Sequence, residues 1–275
     1  MANVSISGNP IESLLGPEKR CGLLVSVRNA DEAKLVLRCG VEVLDLKEPL
    51  AGALGAVPDT VVEQVHQLAM QTAPERRPKL SFALGELAGW DFQRWPRLLD
   101  RYTPSQIAGF SYVKIGLAGV QQGDNWPVLW SKLFAGLPDR VQPVVVGYLD
   151  RFPDVQPAAD DKSANGCCPS IGKLIEFATG HPQVSTVLLD THDKQNDLFA
   201  HIDDQQLREI IAMATEAELA IVVAGSVTID LLPRVIEAGA SLVGVRGAVC
   251  EGDRSGRLCE QKLREFRQRL KETGQ

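Results

Sequence analysis

Eight short apolar runs divide the chain, and each is followed by a segment of a different period. They are CGLLVSV (21–27), VEVLDLK (41–47), KLSFALGE (79–86), SYVKIGL (111–117), QPVVVGYL (142–149), STVLLDT (185–191), AIVVAGS (220–226) and SLVGVRG (241–247). Valine and leucine dominate, and the runs are nearly continuous. This is the pattern of parallel strands buried on both faces. The intervening segments place apolar residues at helical spacing, as in DTVVEQVHQLAMQ (59–71) and DDQQLREIIAMATEAEL (203–219). Asn29 reads as a helix N-cap with Glu32 three residues on, the arrangement of a capping box. That segment stops at Gly40, and TIDLLPRVIEAGA stops in the same way at Gly239. A charged amphipathic helix closes the chain.

Eight β-then-α units predict a (β/α)8 TIM barrel over residues 21–275. Residues 1–20, rich in Gly, Pro, Ser and Asn, read as an N-terminal extension. The rival is an open doubly wound sheet, but no G-x-G-x-x-G follows the first run, which argues against a dinucleotide site. Segment 150–170, DRFPDVQPAADDKSANGCCPS, is a long polar loop after the fifth strand. Loops of that length are usually functional or disordered.

Charge narrows the function classes. Lys plus Arg is 29 and Asp plus Glu is 35, a formal charge of -6. The chain as a whole has no electrostatic footprint for nucleic acid, although a local basic pocket for a phosphate is compatible with it. The six cysteines form no C-x-x-C pair, and the four histidines are scattered. No zinc spacing is present, and no metal is expected. The cysteine pattern fits a reducing compartment, and no run approaches a membrane span or a signal-peptide core. The expectation is a cytoplasmic homo-oligomer that takes a small phosphorylated substrate, with no membrane partner.

In a barrel the site is built at the C-terminal ends of the strands, so charges there carry most weight. The second run ends VLDLKEP. Strand alternation puts Val43, Asp45 and Lys47 on one face, toward the barrel interior, and Leu44 and Leu46 on the other. The fourth run holds Lys114 within YVKIGL, and the sixth ends LLDTHDK, with Asp190 and Lys194. Taken singly, each has an ordinary explanation: Lys47 starts a loop, Lys114 snorkels, Asp190 caps a helix. Together they place three lysines and two aspartates at the ends of strands two, four and six. Such a set suits imine chemistry. A lysine attacks a carbonyl as the neutral amine, which burial or a nearby cation supplies. A second lysine or a carboxylate then moves protons. At strands seven and eight, AGS and VGVRGAV supply the small residues of a barrel phosphate site, with Gly225, Ser226, Arg246 and Gly247 as candidates. Ser26 and Asp45 are assigned to substrate binding beside them. The glycines at 52 and 55 allow a loop that folds over the site. His192 adjoins Asp190 but reads as an ordinary loop histidine.

With these residues in view, the chain resembles the (5-formylfuran-3-yl)methyl phosphate synthases, also called 4-(hydroxymethyl)-2-furancarboxaldehyde-phosphate synthases. The resemblance runs from about Leu23 to Arg257 and rests on LLVSVRNADEA, VLDLKEPLAGALGA, YVKIGLAG, LLDTHDK, VAGS and VGVRGAVCEGDR, in that order. It implies a (β/α)8 barrel that condenses two molecules of glyceraldehyde 3-phosphate, releases phosphate and water, and serves the biosynthesis of methanofuran or a bacterial analogue. The family's Schiff-base lysine falls on Lys47, its proton-accepting lysine on Lys114, and its further active-site pair on Asp190 and Lys194. No metal or organic cofactor is implied. Ala53 stands where the family often has serine, and Glu251 where a glycine is expected. Two other readings of the residues are a different Schiff-base aldolase acting on triose phosphates and a non-catalytic binding subunit that uses the charged last helix as its contact.

Overall fold

The apolar runs pair in chain order, all in parallel, and the last closes on the first. The computed structural model describes residues 21–120, 124–152 and 168–274. Its strands are β1 (Gly22–Val27), β2 (Val43–Leu46), β3 (Lys79–Glu86), β4 (Tyr112–Gly116), β5 (Gln142–Tyr148), β6 (Thr186–Asp190), β7 (Ala220–Val223) and β8 (Leu242–Val245). Helices follow them: α1 (Ala30–Cys39), α2 (Asp59–Met70), the short α3 (Leu98–Arg101) and α4 (Pro104–Ile107), α5 (Trp126–Leu133), α6 (Ile171–Thr179), α7 (Asp204–Glu216), α8 (Leu232–Glu237) and α9 (Glu260–Thr273). This is the (β/α)8 barrel that the alternating pattern predicts. The N-terminal extension expected over 1–20, and most of the long loop expected over 150–170, lie outside the described residues.

Except for β3, the strands are shorter than the apolar runs, and this positions the site. β2 stops at Leu46, so Lys47 stands one residue past it, although its N–H still donates to Val27 O at 3.0 Å. β7 stops before Ala224-Gly225-Ser226, and β8 stops before Arg246-Gly247. All of these residues therefore lie on the C-terminal mouth. In the parallel register Ser26 pairs with Asp45, Asp45 with Ser81, and Ser81 with Tyr112, a polar row across the first four strands. Leu24 and Val43 pair one step deeper.

The core is made by the outward faces of the strands against the helices. Val25, Val27, Leu44, Leu46, Val145 and Leu189 are fully buried, and each such side chain contributes roughly 2 kcal/mol of transfer free energy. In α1, Ala33, Val36 and Cys39 share the buried face. Asn29 caps this helix, accepting from the N–H of Asp31 (3.1 Å) and Glu32 (3.0 Å). Glu32 does not complete the capping box on Asn29. Its carboxylate takes the N–H of Arg28 at 2.8 Å and pairs with Arg246. The buried guanidinium holds it there. Gly40, with φ +71°, ends α1 as expected. α9 seals the ring by burying Leu263, Phe266 and Leu270, and Arg267 Nη1 donates to Cys39 O at 2.7 Å. Among the described residues, no helix is long and apolar enough to cross a membrane.

Candidate active site

A pocket of about 310 Å³ opens at the C-terminal mouth, and Asp45, Lys47, Lys114, Asp190 and Lys194 all line it. Five charged side chains from three strands thus converge, as the strand-end argument expects. They form two linked groups. Lys114 Nζ lies 2.6 Å from Asp45 Oδ1, and Ser26 Oγ donates to Asp45 Oδ2 at 3.0 Å. Lys194 Nζ lies 2.5 Å from Asp190 Oδ1 and also donates to Thr191 O. Asp190 Oδ1 additionally accepts the N–H of Thr191 at 2.8 Å. Lys114, Asp45 and Asp190 are buried, so Lys114 does not snorkel.

Lys47 differs from the other two lysines. Its Nζ approaches Asp190 Oδ2 only to 3.8 Å, beyond hydrogen-bond range. That oxygen makes no hydrogen bond. Burial lowers the pKa of Lys47 to about 8, and the charges of Lys194 and Lys114 push the same way against Asp190 and Asp45. With that value, roughly one molecule in ten carries the neutral amine at pH 7. Asp190 balances opposing effects. Burial alone would raise its pKa, but Lys194 and Lys47 outweigh it and hold the carboxyl below its usual range. The buried acid is therefore ionised and keeps one unpartnered oxygen beside the amine.

The loops after β7 and β8 provide main-chain donors. Gly225 and Ser226 have successive positive φ values of +101° and +54°, the kind of turn that gathers N–H groups into an anion-binding concavity. A Cβ on Gly225 would lie 3.0 Å from Thr191 Cγ2, so the close approach of this turn to the β6 loop requires glycine. Among the described residues, the N–H groups of Ser226, Gly247 and Ala248 have no hydrogen-bond partner. Arg246 lines the pocket but serves another purpose. All five of its N–H donors meet protein acceptors: Arg254 O, Ser26 O, Gly256 O and both oxygens of Glu32. Its side chain braces the mouth, and no donor is left for the phosphate role expected of it.

The loop after β2 is tied across the mouth. Glu48 N–H donates to Gly55 O at 2.8 Å, and Arg254 Nη2 donates to Gly52 O at 2.9 Å. Leu50 on this loop is 72% exposed. It stands free of the core.

Comparison with known proteins identifies the lineage. The family model described as 4-HFC-P synthase matches residues 23–267. The chain belongs to the 4-HFC-P synthase family. Relatives named (5-formylfuran-3-yl)methyl phosphate synthase include one from Methanosarcina barkeri, 28% identical over 243 residues (87% of this chain, 94% of the relative). One from Methanococcus maripaludis is 27% identical over 254 residues, covering 89% and 97%. 4-HFC-P synthases are enzymes, and this chain spans nearly their full length. Among solved structures, a putative fructose-1,6-biphosphate aldolase from Coccidioides immitis aligns at TM-score 0.59 with 14% identity, covering 96% of this chain and 91% of that one. A thiamine phosphate pyrophosphorylase from Pyrococcus furiosus aligns at 0.52 with 11% identity, covering 93% and 98%. These likenesses show the barrel alone.

Three features of this 4-HFC-P synthase family member escape a reading of its strand ends. Arg254 lines the pocket from the loop after β8. Its only sequence signal is its place in CEGDR. Glu86 at the end of β3 accepts Tyr148 OH at 2.6 Å and the N–H of Ala118 at 3.0 Å. Burial raises the pKa of both members of this pair, and the Asp190 charge adds to it. Asp150 accepts the N–H groups of His192 (2.7 Å) and Asp193 (2.8 Å). It thereby fixes the turn that returns Lys194 to Asp190. His192 contributes its main chain to that turn and sets its ring edge-on to Tyr148 at 5.2 Å.

Proposed function

We propose that this enzyme joins two molecules of glyceraldehyde 3-phosphate into (5-formylfuran-3-yl)methyl phosphate through a Schiff base on Lys47, with loss of phosphate and water. The supporting observation is the state of Lys47. Among the described residues, it is the pocket lysine with no carboxylate oxygen within hydrogen-bond range, and burial brings its pKa to about 8. The neutral amine adds to the carbonyl carbon of a triose phosphate, and loss of water from the adduct leaves the imine. The protonated imine draws electrons from the adjacent carbon, whose proton passes to a base. Lys114, and Asp190 with Lys194, carry that proton traffic as base and acid. The resulting carbon nucleophile attacks the aldehyde of the second triose phosphate, and the new alkoxide takes a proton. Elimination of phosphate and water leads to the furan. The imine is the electron sink, so the proposal calls on no metal or organic cofactor. Ser26 and Asp45 orient Lys114. Gly225, Ser226 and Gly247 hold a phosphoryl group through the main chain. The product would enter methanofuran biosynthesis or that of a bacterial analogue.

The test is incubation of the purified protein with glyceraldehyde 3-phosphate and borohydride, followed by mass spectrometry of the reduced adduct. The expected adduct is on Lys47. An adduct on Lys114 or Lys194 would overturn the assignment of roles, and a folded protein with no adduct would overturn the Schiff base. A product absorbing in the near ultraviolet is expected of a furan aldehyde, whereas a non-absorbing aldol product would favour a different Schiff-base aldolase.

A further inference from the structure

Every other cation lining the pocket has a carboxylate partner within 4 Å: Lys47 and Lys194 have Asp190, Lys114 has Asp45, and Arg246 has Glu32. Arg254 has none among the described residues. Among the described residues its guanidinium makes one hydrogen bond, from Nη2 to the carbonyl of Gly52. A guanidinium has five N–H donors, so four remain without a protein acceptor. The side chain is half-buried and lines the pocket, so this is no solvated surface arginine. Burial lowers its pKa, and the Arg246 charge adds to that effect against Asp190, Asp253 and Glu48. A half-buried cation with unpaired donors is a poor arrangement unless an anion completes it.

The surrounding loop is built to hold this arginine in place. Asp253 Oδ1 accepts the N–H of Ser255 at 2.7 Å. Arg246 Nε donates to Arg254 O at 2.6 Å. Arg28 Nη1 donates to Ser255 O at 2.9 Å while its Nε pairs with Glu48 at 3.0 Å. The main chain on both sides of Arg254 is therefore fixed by neighbours, and its side chain is left for something else. Gly252, with φ +73° and no atom within 4 Å of a would-be Cβ, leaves open space beside it. Arg254 follows β8 and its backbone packs against Gly247, where a Cβ would lie 3.7 Å from Arg254 N and Cβ, but its guanidinium reaches away from that turn to Gly52 on the loop after β2.

We propose that Arg254 forms a second anion site in the pocket, taking a phosphoryl dianion on its guanidinium while the main-chain turns after β7 and β8 take another. The inference rests on the reading of this pocket as one for phosphorylated substrates, and it supplies that reading with a place for the second phosphate. A planar guanidinium binds two phosphoryl oxygens at once, which fixes orientation as well as position.

The experiment is calorimetric titration of the wild-type chain, Arg254→Gln and Arg254→Lys with inorganic phosphate, alongside near-ultraviolet circular dichroism. The expected result is two phosphates per wild-type chain. In Arg254→Gln one site should weaken about tenfold or more, the factor carried by one lost charge-assisted hydrogen bond. Arg254→Lys, which keeps a charge and can still reach Gly52 O, should fall between. One phosphate per wild-type chain, or two unweakened sites in a folded Arg254→Gln, would overturn the inference. Phosphate binding needs no turnover. A chain that shows both sites but gives no borohydride adduct would therefore retire the proposed reaction and leave the anion site standing.

Discussion

Asp190 meets Lys194 at 2.5 Å through Oδ1 and faces Lys47 at 3.8 Å through Oδ2. One carboxylate thus treats two ammonium groups unequally. Lys194 has the short contact, the carbonyl of Thr191 as a second acceptor, and the hydroxyl of Thr191 at 3.4 Å. Among the described residues, Lys47 has only the long contact. The asymmetry explains how neighbouring lysines can differ in role. The charge of Lys194 lowers the pKa of the Lys47 amine beside it. The loosely paired one is left able to lose its proton.

Lys194→Met should therefore act on Lys47 as much as on proton transfer. Removing the Lys194 charge takes away one of the influences that lower the Lys47 pKa, and it releases Asp190 Oδ1 to pair with Lys47. Both changes raise the Lys47 pKa above about 8. The acid limb of kcat/KM should move to higher pH, and borohydride trapping at pH 7 should slow by about tenfold for each unit of that movement. A variant whose limb stays in place, with only kcat lowered, would show that Lys194 does not tune the amine.

Lys47 also makes a prediction about stability. Its pKa falls from 10.5 in the ordinary state to about 8 in the folded chain, a difference corresponding to about 3 kcal/mol. The sign follows from proton counting. Between those two values the unfolded chain binds the proton and the folded chain does not, so stability rises with pH across that window. Below about pH 8 the folded chain bears the full cost of a buried ammonium. Lys47→Met keeps the length and removes the charge. Urea unfolding at pH 7 should show the variant more stable by about 1–3 kcal/mol, and the advantage should shrink toward pH 10. An equal offset at both pH values would refute the depressed pKa.

Arg246 predicts the opposite behaviour. Its pairing with Glu32 is buried on both sides, and its remaining donors bind the strand β1 and the loop after β8. Arg246→Met would leave Glu32 buried with only the N–H of Arg28 and would free three carbonyl oxygens. The expected cost is about 3–5 kcal/mol, the usual result of breaking one side of a buried pair. Glu32→Gln should cost less, because the amide still accepts a hydrogen bond. Chemical denaturation of the two variants checks the order.

Much of this was legible in the chain because buried parallel strands write themselves as continuous apolar runs. The second run shows it most clearly, since alternation alone puts Asp45 and Lys47 on the inner face. The partners of those charges were less accessible. Asp45 meets Lys114 across 69 positions and Lys47 meets Asp190 across 143, and only barrel closure brings them together. The arginines mark the limit. Arg246 and Arg254 both follow β8, and the sequence favours the one next to glycine as the anion grip. Which of them faces the pocket with open donors depends on Glu32, a residue on α1 whose local spacing suggests nothing more than a helix cap. The tie of Glu86 to Tyr148 is hidden for the same reason. It needs Gly116, where a Cβ would lie 2.0 Å from Glu86 Oε2 and 2.4 Å from Tyr148 OH.

Asp150 offers a test of how far positioning reaches. It lies just past β5, and its two oxygens take consecutive N–H groups of the turn that follows Asp190. Asp150→Ala leaves both donors without that acceptor and loosens the return of Lys194 onto Asp190. The expected loss of stability is about 1–3 kcal/mol. Activity should fall further than stability, with kcat reduced about tenfold to a hundredfold and KM changed less, because Asp150 does not line the pocket. The decisive readout is the pH profile. If Asp150 acts through Lys194, the acid limb of kcat/KM moves to higher pH in the same direction as in Lys194→Met. Asp150→Asn, which retains one acceptor oxygen, should recover part of both kcat and the limb. A purely structural role would lower the unfolding midpoint and leave the limb where it was.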